Sequence, residues 1–219
     1  MRLTKQQKAL LINFYSYKRP HASDSEKQFI DAFIMPAVKQ YPDLWFIDAV
    51  GNIHLDLRQT EENRTLFVAH TDSVHKEAGR QTPIIKNNKM QLPSPKNGAN
   101  NSNCLGADDA SGILILLQLI KHNTPAYYIF TRAEERGGIG AQHVAKTYED
   151  LLFEFDRAVA FDRRGTHSVI THQAFGRTCS EEFAEALSDA LSDDVLMYCP
   201  DNTGVYTDTA EFLYHIPEC

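Results

Sequence analysis

Hydrophobic and polar positions change period several times along the chain, and each change marks an element. Between Leu3 and Tyr15 apolar residues alternate with a polar face of Lys5, Gln6, Gln7 and Lys8, which predicts an amphipathic helix. The capping pattern Ser23-x-x-Glu26 predicts a second helix, kinked or ended at Pro36. Leu44 to Val50 and Ile53 to Leu57 flank Gly51-Asn52, which suits a tight reversal between two strands. Short apolar runs then alternate with helical patterns: Leu66 to Ala69, Asp109 to Lys121, Tyr127 to Thr131, Gly138 to Tyr148, Ala158 to Phe161. That alternation predicts an α/β fold around a mixed, mainly parallel central sheet. Pro83 to Leu92, centred on Lys86-Asn87-Asn88-Lys89, reads as an excursion hairpin before an Asn-rich loop. Phe183, Leu187 and Leu191 recur at helical spacing within Ser180 to Leu191, and Val195 to Cys199 reads as a further strand.

Composition narrows the picture. A chain of 219 residues, 42% hydrophobic, can bury one sizeable core, and neither a repeat nor a Pro, Gly or Ser linker divides it. Residues 1–219 are therefore read as a single domain, with Lys96 to Asn103 its compositionally soft segment. A net charge of -7 supplies no basic field for a phosphate backbone, which excludes nucleic acid as an expected partner. The longest apolar stretch, Gly112 to Ile120, is interrupted by Gln118 and is far shorter than the roughly 20 residues a bilayer requires. No membrane span is expected. The amino end lacks a small-residue cleavage site, and Cys104, Cys179, Cys199 and Cys219 are scattered without a CxxC pair, so reduced thiols in a cytoplasmic protein are the plain reading.

Ligands of open α/β sheets bind beyond the carboxyl ends of the strands, so polar residues just after apolar runs are the candidates for chemistry. The run ending at Ala69 is followed by His70-Thr71-Asp72, whose alternation places His70 and Asp72 on one side. A metal-bound imidazole usually gives its other N–H to a carboxylate, which suits this pair, although His-x-Asp alone occurs by chance in many surface loops. Asp108-Asp109 opens the apolar helix within Leu105-Gly106-Ala107-Asp108-Asp109-Ala110-Ser111-Gly112. One of the two can be an ordinary helix cap, whereas a pair among small residues also suits a carboxylate bridging two cations. Glu134-Glu135 follow the run Tyr127 to Thr131, and Asp162 follows Ala158 to Phe161. Taken singly, these acids suit a solvated helix start and an ion pair with Arg163 or Arg164. Delivery of His, Asp, Glu and Asp to one sheet edge is poorly explained by chance.

The order H-x-D, G-A-D-D-x-S-G, E-E-x-G-x-x-G and apolar run followed by Asp resembles the zinc exopeptidase superfamily with two co-catalytic metals, which includes leucyl aminopeptidases, tripeptidase-like enzymes and N-acyl amino acid deacylases. The resemblance runs from Asp48-x-x-Gly51-Asn52 to the end of the chain. It implies a phosphorylase/hydrolase-like catalytic domain with helices on both sheet faces; larger members of the superfamily insert a second domain for dimerisation or a lid, and nothing here is long enough for one, so no lid domain is expected. It also implies that His70 and Asp162 hold one metal, Asp108 bridges, Glu135 holds the second, Asp72 orients His70 and Glu134 is the catalytic base. Asp109 is not expected to ligate, and the bond joining it to Asp108 is expected to be cis. One further His ligand is implied beyond a strand entered through Ile216-Pro217-Glu218-Cys219. The sequence stops at Cys219, so the domain is expected to be truncated there. His215, inside the apolar run before that segment, reads as a packing or surface residue.

Two divalent ions are thus the implied cofactors, zinc first, with cobalt or manganese as alternatives for a carboxylate-rich site. The implied reaction is amide hydrolysis by metal-activated water on a peptide or small amide, in the manner of an aminopeptidase. The rivals are an N-acyl amino acid amidohydrolase and a non-catalytic binding module with a damaged site. Side-chain preference and oligomeric state are not legible.

Overall fold

The computed structural model describes residues 4–94, 102–173 and 176–219; most of the soft segment, residues 96–101, lies outside the described residues. The amino-terminal pattern folds as α1 (Lys5–Phe14), where Thr4 and Gln7 form a reciprocal cap, followed by β1 (Tyr17–Lys18). Helix α2 (Asp24–Phe29) is capped by the Ser23 hydroxyl, but the Glu26 carboxylate accepts the Ala22 N–H instead of completing a capping box. Pro36 neither ends nor breaks the helical path. A π turn, Ile30–Ile34, leads into α3 (Met35–Val38) with Pro36 in its first turn, and this wider turn absorbs the missing proline donor.

Strands β2 (Trp45–Ile47) and β3 (Ile53–Asp56) pair antiparallel, Ile47 opposite Ile53, around a loop in which Asp48 Oδ1 accepts the N–H groups of Val50 and Asn52. Then come β4 (Thr65–His70), β5 (Gly79–Arg80), which pairs with β1, and the excursion hairpin β6 (Ile84–Lys86) and β7 (Lys89–Gln91). Next are α4 (Ala107–Lys121), β8 (Tyr127–Thr131), a 3-10 turn Glu134–Arg136, α5 (Ile139–Thr147), α6 (Glu149–Leu152) and β9 (Arg157–Ala160). The remainder comprises β10 (Ser168–Ile170), β11 (His172–Gln173), β12 (Gly176–Arg177), α7 (Glu181–Leu191), β13 (Cys199–Asp201) and a 3-10 turn Asp208–Phe212. The strand expected from Val195 to Cys199 starts only at Cys199. Asp193 Oδ1 accepts the N–H groups of Val195 and Leu196, a local turn that competes with a strand, and Val195 is 85% exposed.

The central sheet has the order β2-β3-β8-β4-β9. It is mixed: β2, β3 and β8 pair antiparallel, whereas β8, β4 and β9 run parallel. Side-chain alternation divides the core between its faces. Tyr128, Phe130 and Ala69 pack with Phe14, Phe29, Ile34, Ile113 and Leu116 from α1 to α4 and the π turn. Leu66, Val68, Tyr127 and Ile129 pack on the other side with Ala141, Val144 and Leu152 from α5 and α6. Three parallel strands therefore end along one edge, covered by helices on both faces.

Candidate active site

Each parallel strand carries an acid or imidazole beyond its end. Strand β4 terminates in His70, followed by Asp72, and both side chains are buried. After β8, Ala133 takes a left-handed turn (φ 62°) that redirects the chain into the 3-10 turn carrying Glu134 and Glu135. Asp162 lies two residues beyond the last residue of β9, Ala160. Asp108 arrives not from a strand end but from the loop entering α4. Gly106 turns left-handed (φ 69°), Asp108 is extended rather than helical (φ -81°, ψ 113°), and the Asp108–Asp109 peptide is cis. The helix is capped by Asp109, whose Oδ1 accepts the Gly112 N–H at 2.9 Å, so the Asp108 carboxylate is free to face the strands.

His70 is the hub. Its Nε2 lies 2.9 Å from Asp108 Oδ1, 3.8 Å from Asp162 Oδ2 and 3.9 Å from Glu134 Oε2, while Nδ1 lies 3.4 Å from Asp72 Oδ1. Asp72 also accepts the Glu134 backbone N–H at 3.1 Å, tying two strand ends together. His70, Asp108 and Asp162 each offer a ligand atom, all within 4.8 Å of one another, and so do His70, Glu134 and Glu135. The sequence candidates thus meet in two triads that share one imidazole. Glu134, expected to stand off as a base, lies in the second triad beside Glu135.

This crowding shifts the protonation equilibria. Burial works against the His70 imidazolium, but the hydrogen bond to Asp108 and the Asp72 carboxylate 3.4 Å from Nδ1 outweigh it and pull His70 well above its ordinary value. Burial pushes Glu134 up to about 7, Asp109 to about 7 and Asp162 to about 9, with the neighbouring carboxylates Asp109 and Asp108 adding to the last. The hydrogen bond from His70 holds Asp108 below the usual carboxylate range. Buried Asp72 Oδ2 and Glu135 Oε1 lack a hydrogen-bond partner. Carboxylate oxygens and an imidazole nitrogen gathered around unpaired buried oxygens fit a divalent cation.

Two further histidines, His215 and His143, do not join the cluster. His215 faces Glu149 at 3.6 Å and packs on the Phe153 ring, as expected of a packing residue. His143 lies 3.8 Å from Asp48, itself bonded to Asn52, whose amide in turn holds the Arg132 N–H and the Gly140 carbonyl. Sequence reading missed Asp208, fully buried, hydrogen-bonded by the Thr131 hydroxyl and pushed by burial to about 6. It also missed Thr207, whose hydroxyl donates to Asp162 Oδ2 at 2.8 Å. The available signal was the polar run Thr207-Asp208-Thr209 amid apolar neighbours, with no strand before it to draw attention.

Residues 52–213 match the family model described as Peptidase family M28. The chain belongs to that family. As an M28 member it is a metal-dependent peptidase, and the family span contains each of the site acids and His70. Solved structures of similar fold include the TET1 peptidase of Pyrococcus horikoshii (17% identity, TM-score 0.60, covering 95% of this chain and 88% of that one). An aminopeptidase from the archaeon Desulfurococcus kamchatkensis is similar over 94% of this chain and 82% of its own, with 14% identity and a TM-score of 0.62. A tripeptidase from Staphylococcus aureus is similar over 78% of this chain and 48% of its own, at 17% identity and a TM-score of 0.56. No curated protein matches the M28 chain. Among its described residues no helix is long and apolar enough to cross a membrane.

Proposed function

We propose that this M28 peptidase is an exopeptidase of the aminopeptidase type, cleaving the first amide bond of a peptide with water activated at two divalent ions, zinc by preference. The observation that carries the reading is the sharing of His70 between two acid triads at the carboxyl edge of the parallel strands. His70 and Asp162 would hold one ion, Glu135 the other, and Asp108 would bridge. When bound, such ions lower the pKa of water and polarise the scissile carbonyl. The residues supply the rest. Asp72 fixes the His70 ring through Nδ1 and leaves Nε2 for coordination. Glu134 accepts the proton of the attacking water and returns it to the leaving amine, a role supported by its buried carboxylate near Asp108 and His70. Neither the reaction nor the roles call for a serine or cysteine nucleophile.

The test is a hydrolysis screen of the zinc-loaded protein on aminoacyl anilides beside N-acyl amino acids. Turnover of the anilides with a free amino group supports the proposal. Turnover confined to N-acyl amino acids would reassign the site to an amidohydrolase, and silence on both, with metal bound, to a binding module.

A further inference from the structure

The site is built on residues 70–162, yet two buried charges from the amino-terminal segment, which precedes the family span of 52–213, hold its backbone. Arg19 is 0% exposed. Its Nε donates to the Thr71 carbonyl at 2.9 Å and its Nη2 to the carbonyls of Gly106 at 3.0 Å and Asp108 at 3.4 Å. One planar guanidinium therefore grips the backbone beside His70 and the backbone of Asp108, the two residues whose side chains meet at 2.9 Å. It packs over the Phe29 ring, 4.7 Å from the centroid, so its plane is fixed from α2. Glu26, also 0% exposed, performs the matching task on the strands. It accepts from the Thr71 hydroxyl at 2.7 Å and forms a two-point pair with Arg132, Nε and Nη2 each at 2.9 Å. Thr71 follows β4 and Arg132 follows β8, two residues before Glu134.

The two residues act at different joints. Arg19 ties β4 to the loop entering α4, and Glu26 ties β4 to β8. Burying an arginine and a glutamate is costly unless each is well bonded, and a residue of this kind makes sense where geometry, rather than stability alone, is being specified. Arg19 also lies close enough to Asp109 and Asp72 to feel their charges, so it offsets part of the negative field of the site.

We propose that Arg19 and Glu26 are positioning residues that set the separation of the metal-holding side chains, Arg19 for His70 against Asp108 and Glu26 for His70 against the Glu134–Glu135 turn. This rests on the metal-holding reading of the triads. The roles are exerted through backbone carbonyls and through Thr71 and Arg132, without contact with substrate.

The experiment titrates the metal-stripped full chain with Co2+, reading the visible absorption band and the binding isotherm, for the wild type and for Arg19→Met, Arg19→Lys and Thr71→Val. Circular dichroism and the melting temperature in chelator report the fold separately. The expectation is that Arg19→Met and Arg19→Lys remain folded, bind Co2+ about 10- to 100-fold more weakly and shift the band, because methionine has no donor and a single ammonium cannot hold the Thr71, Gly106 and Asp108 carbonyls together. Thr71→Val conserves volume and removes the hydroxyl's bonds to the Glu26 carboxylate at 2.7 Å and to the Thr131 carbonyl at 3.1 Å, so a folded Thr71→Val protein with weakened Co2+ binding supports the β4–β8 tie of which Glu26 is part, even where an Arg19 variant fails to fold. Wild-type affinity and an unchanged band in folded Arg19→Met or Arg19→Lys would overturn the Arg19 role, and the same result in Thr71→Val would overturn the Glu26 role. A wild-type chain that binds no Co2+ would overturn the metal reading itself, and the proposal with it.

Discussion

Glu134 and Glu135 are neighbours with separate surroundings, and substitution can tell their roles apart. Glu134 is close to His70 and bound through its backbone to Asp72, whereas Glu135 leaves Oε1 buried and without a partner. Glu134→Gln keeps size and polarity but cannot take the proton of water, so turnover is expected to fall about 10²- to 10⁴-fold with metal content unchanged. Glu135→Gln is expected to lower metal content first; equal metal content and equal rates in both variants would remove the division of labour. His75 adds its own contribution to the response to acid. Burial and the charge of Arg19 lower His75 to about 4, and its Nδ1 meets the Ser73 hydroxyl at 2.6 Å. The unfolded chain takes up that proton near 6.5 and the folded chain only near 4, so between these values the unfolded state binds more protons and stability rises with pH. His75→Asn is therefore expected to flatten the slope of unfolding free energy against pH between roughly 4 and 6.5, by up to about 1.4 kcal/mol per pH unit. Urea midpoints of the metal-stripped wild type and variant across that window measure it, and parallel slopes would refute the assignment. No sequence pattern marks either His75 or Arg19. Their burial arises from α2 and the α4 loop closing over them, which no local pattern encodes.

At the scale of elements, legibility tracked burial. Apolar runs that became β4, β8 and β9 announced themselves because both faces of each strand are covered, and the acids just beyond them were legible for the same reason. Val195 to Cys199 has a comparable run yet lies exposed, and Asp208 comes from a 3-10 turn with no strand before it, so composition misled in one case and was silent in the other. The antiparallel half of the sheet was likewise only half legible: the β2–β3 hairpin could be read, while its pairing with β8 is a long-range choice. One close approach decides how β8 is held. A Cβ added at Gly140 in α5 would collide with the backbone of Arg132, at 2.6 Å from its nitrogen, and with the Asn52 side chain. Gly140→Ala is expected to destabilise the fold by about 1–3 kcal/mol as α5 is pushed off the β8 end. At roughly 2–4 °C per kcal/mol for a chain of this size, the melting temperature should drop by several degrees. A melting temperature within a degree of wild type would show that the helix gives way freely.

Seen as a whole molecule, the fold concentrates unfavourable charge in one place and leaves the rest ordinary. Asp72, Asp108, Asp109, Glu134, Glu135, Asp162 and Asp208 crowd around a single imidazole, and burial raises most of them. A raised carboxylate favours the folded state only while protonated, so as pH climbs past its unfolded value near 4 that contribution fades, and it is gone above the raised value, about 7 for Glu134 and about 9 for Asp162. Divalent cations supply the missing counter-charge to the same oxygens, and they compete there with protons. The metal-stripped chain at pH 8 is therefore expected to melt well below the zinc-loaded chain. With free metal held at about 100 times its dissociation constant, the stabilisation is ~2.7 kcal/mol, or roughly 5–11 °C. At pH 5.5 the gap should shrink, because carboxylates that already carry protons bind cations weakly. Differential scanning calorimetry with and without chelator at the two pH values measures both gaps. Equal melting temperatures at pH 8 would mean that the acids are stabilised by their own hydrogen bonds and protons, and that no cation is needed to hold this edge of the sheet together.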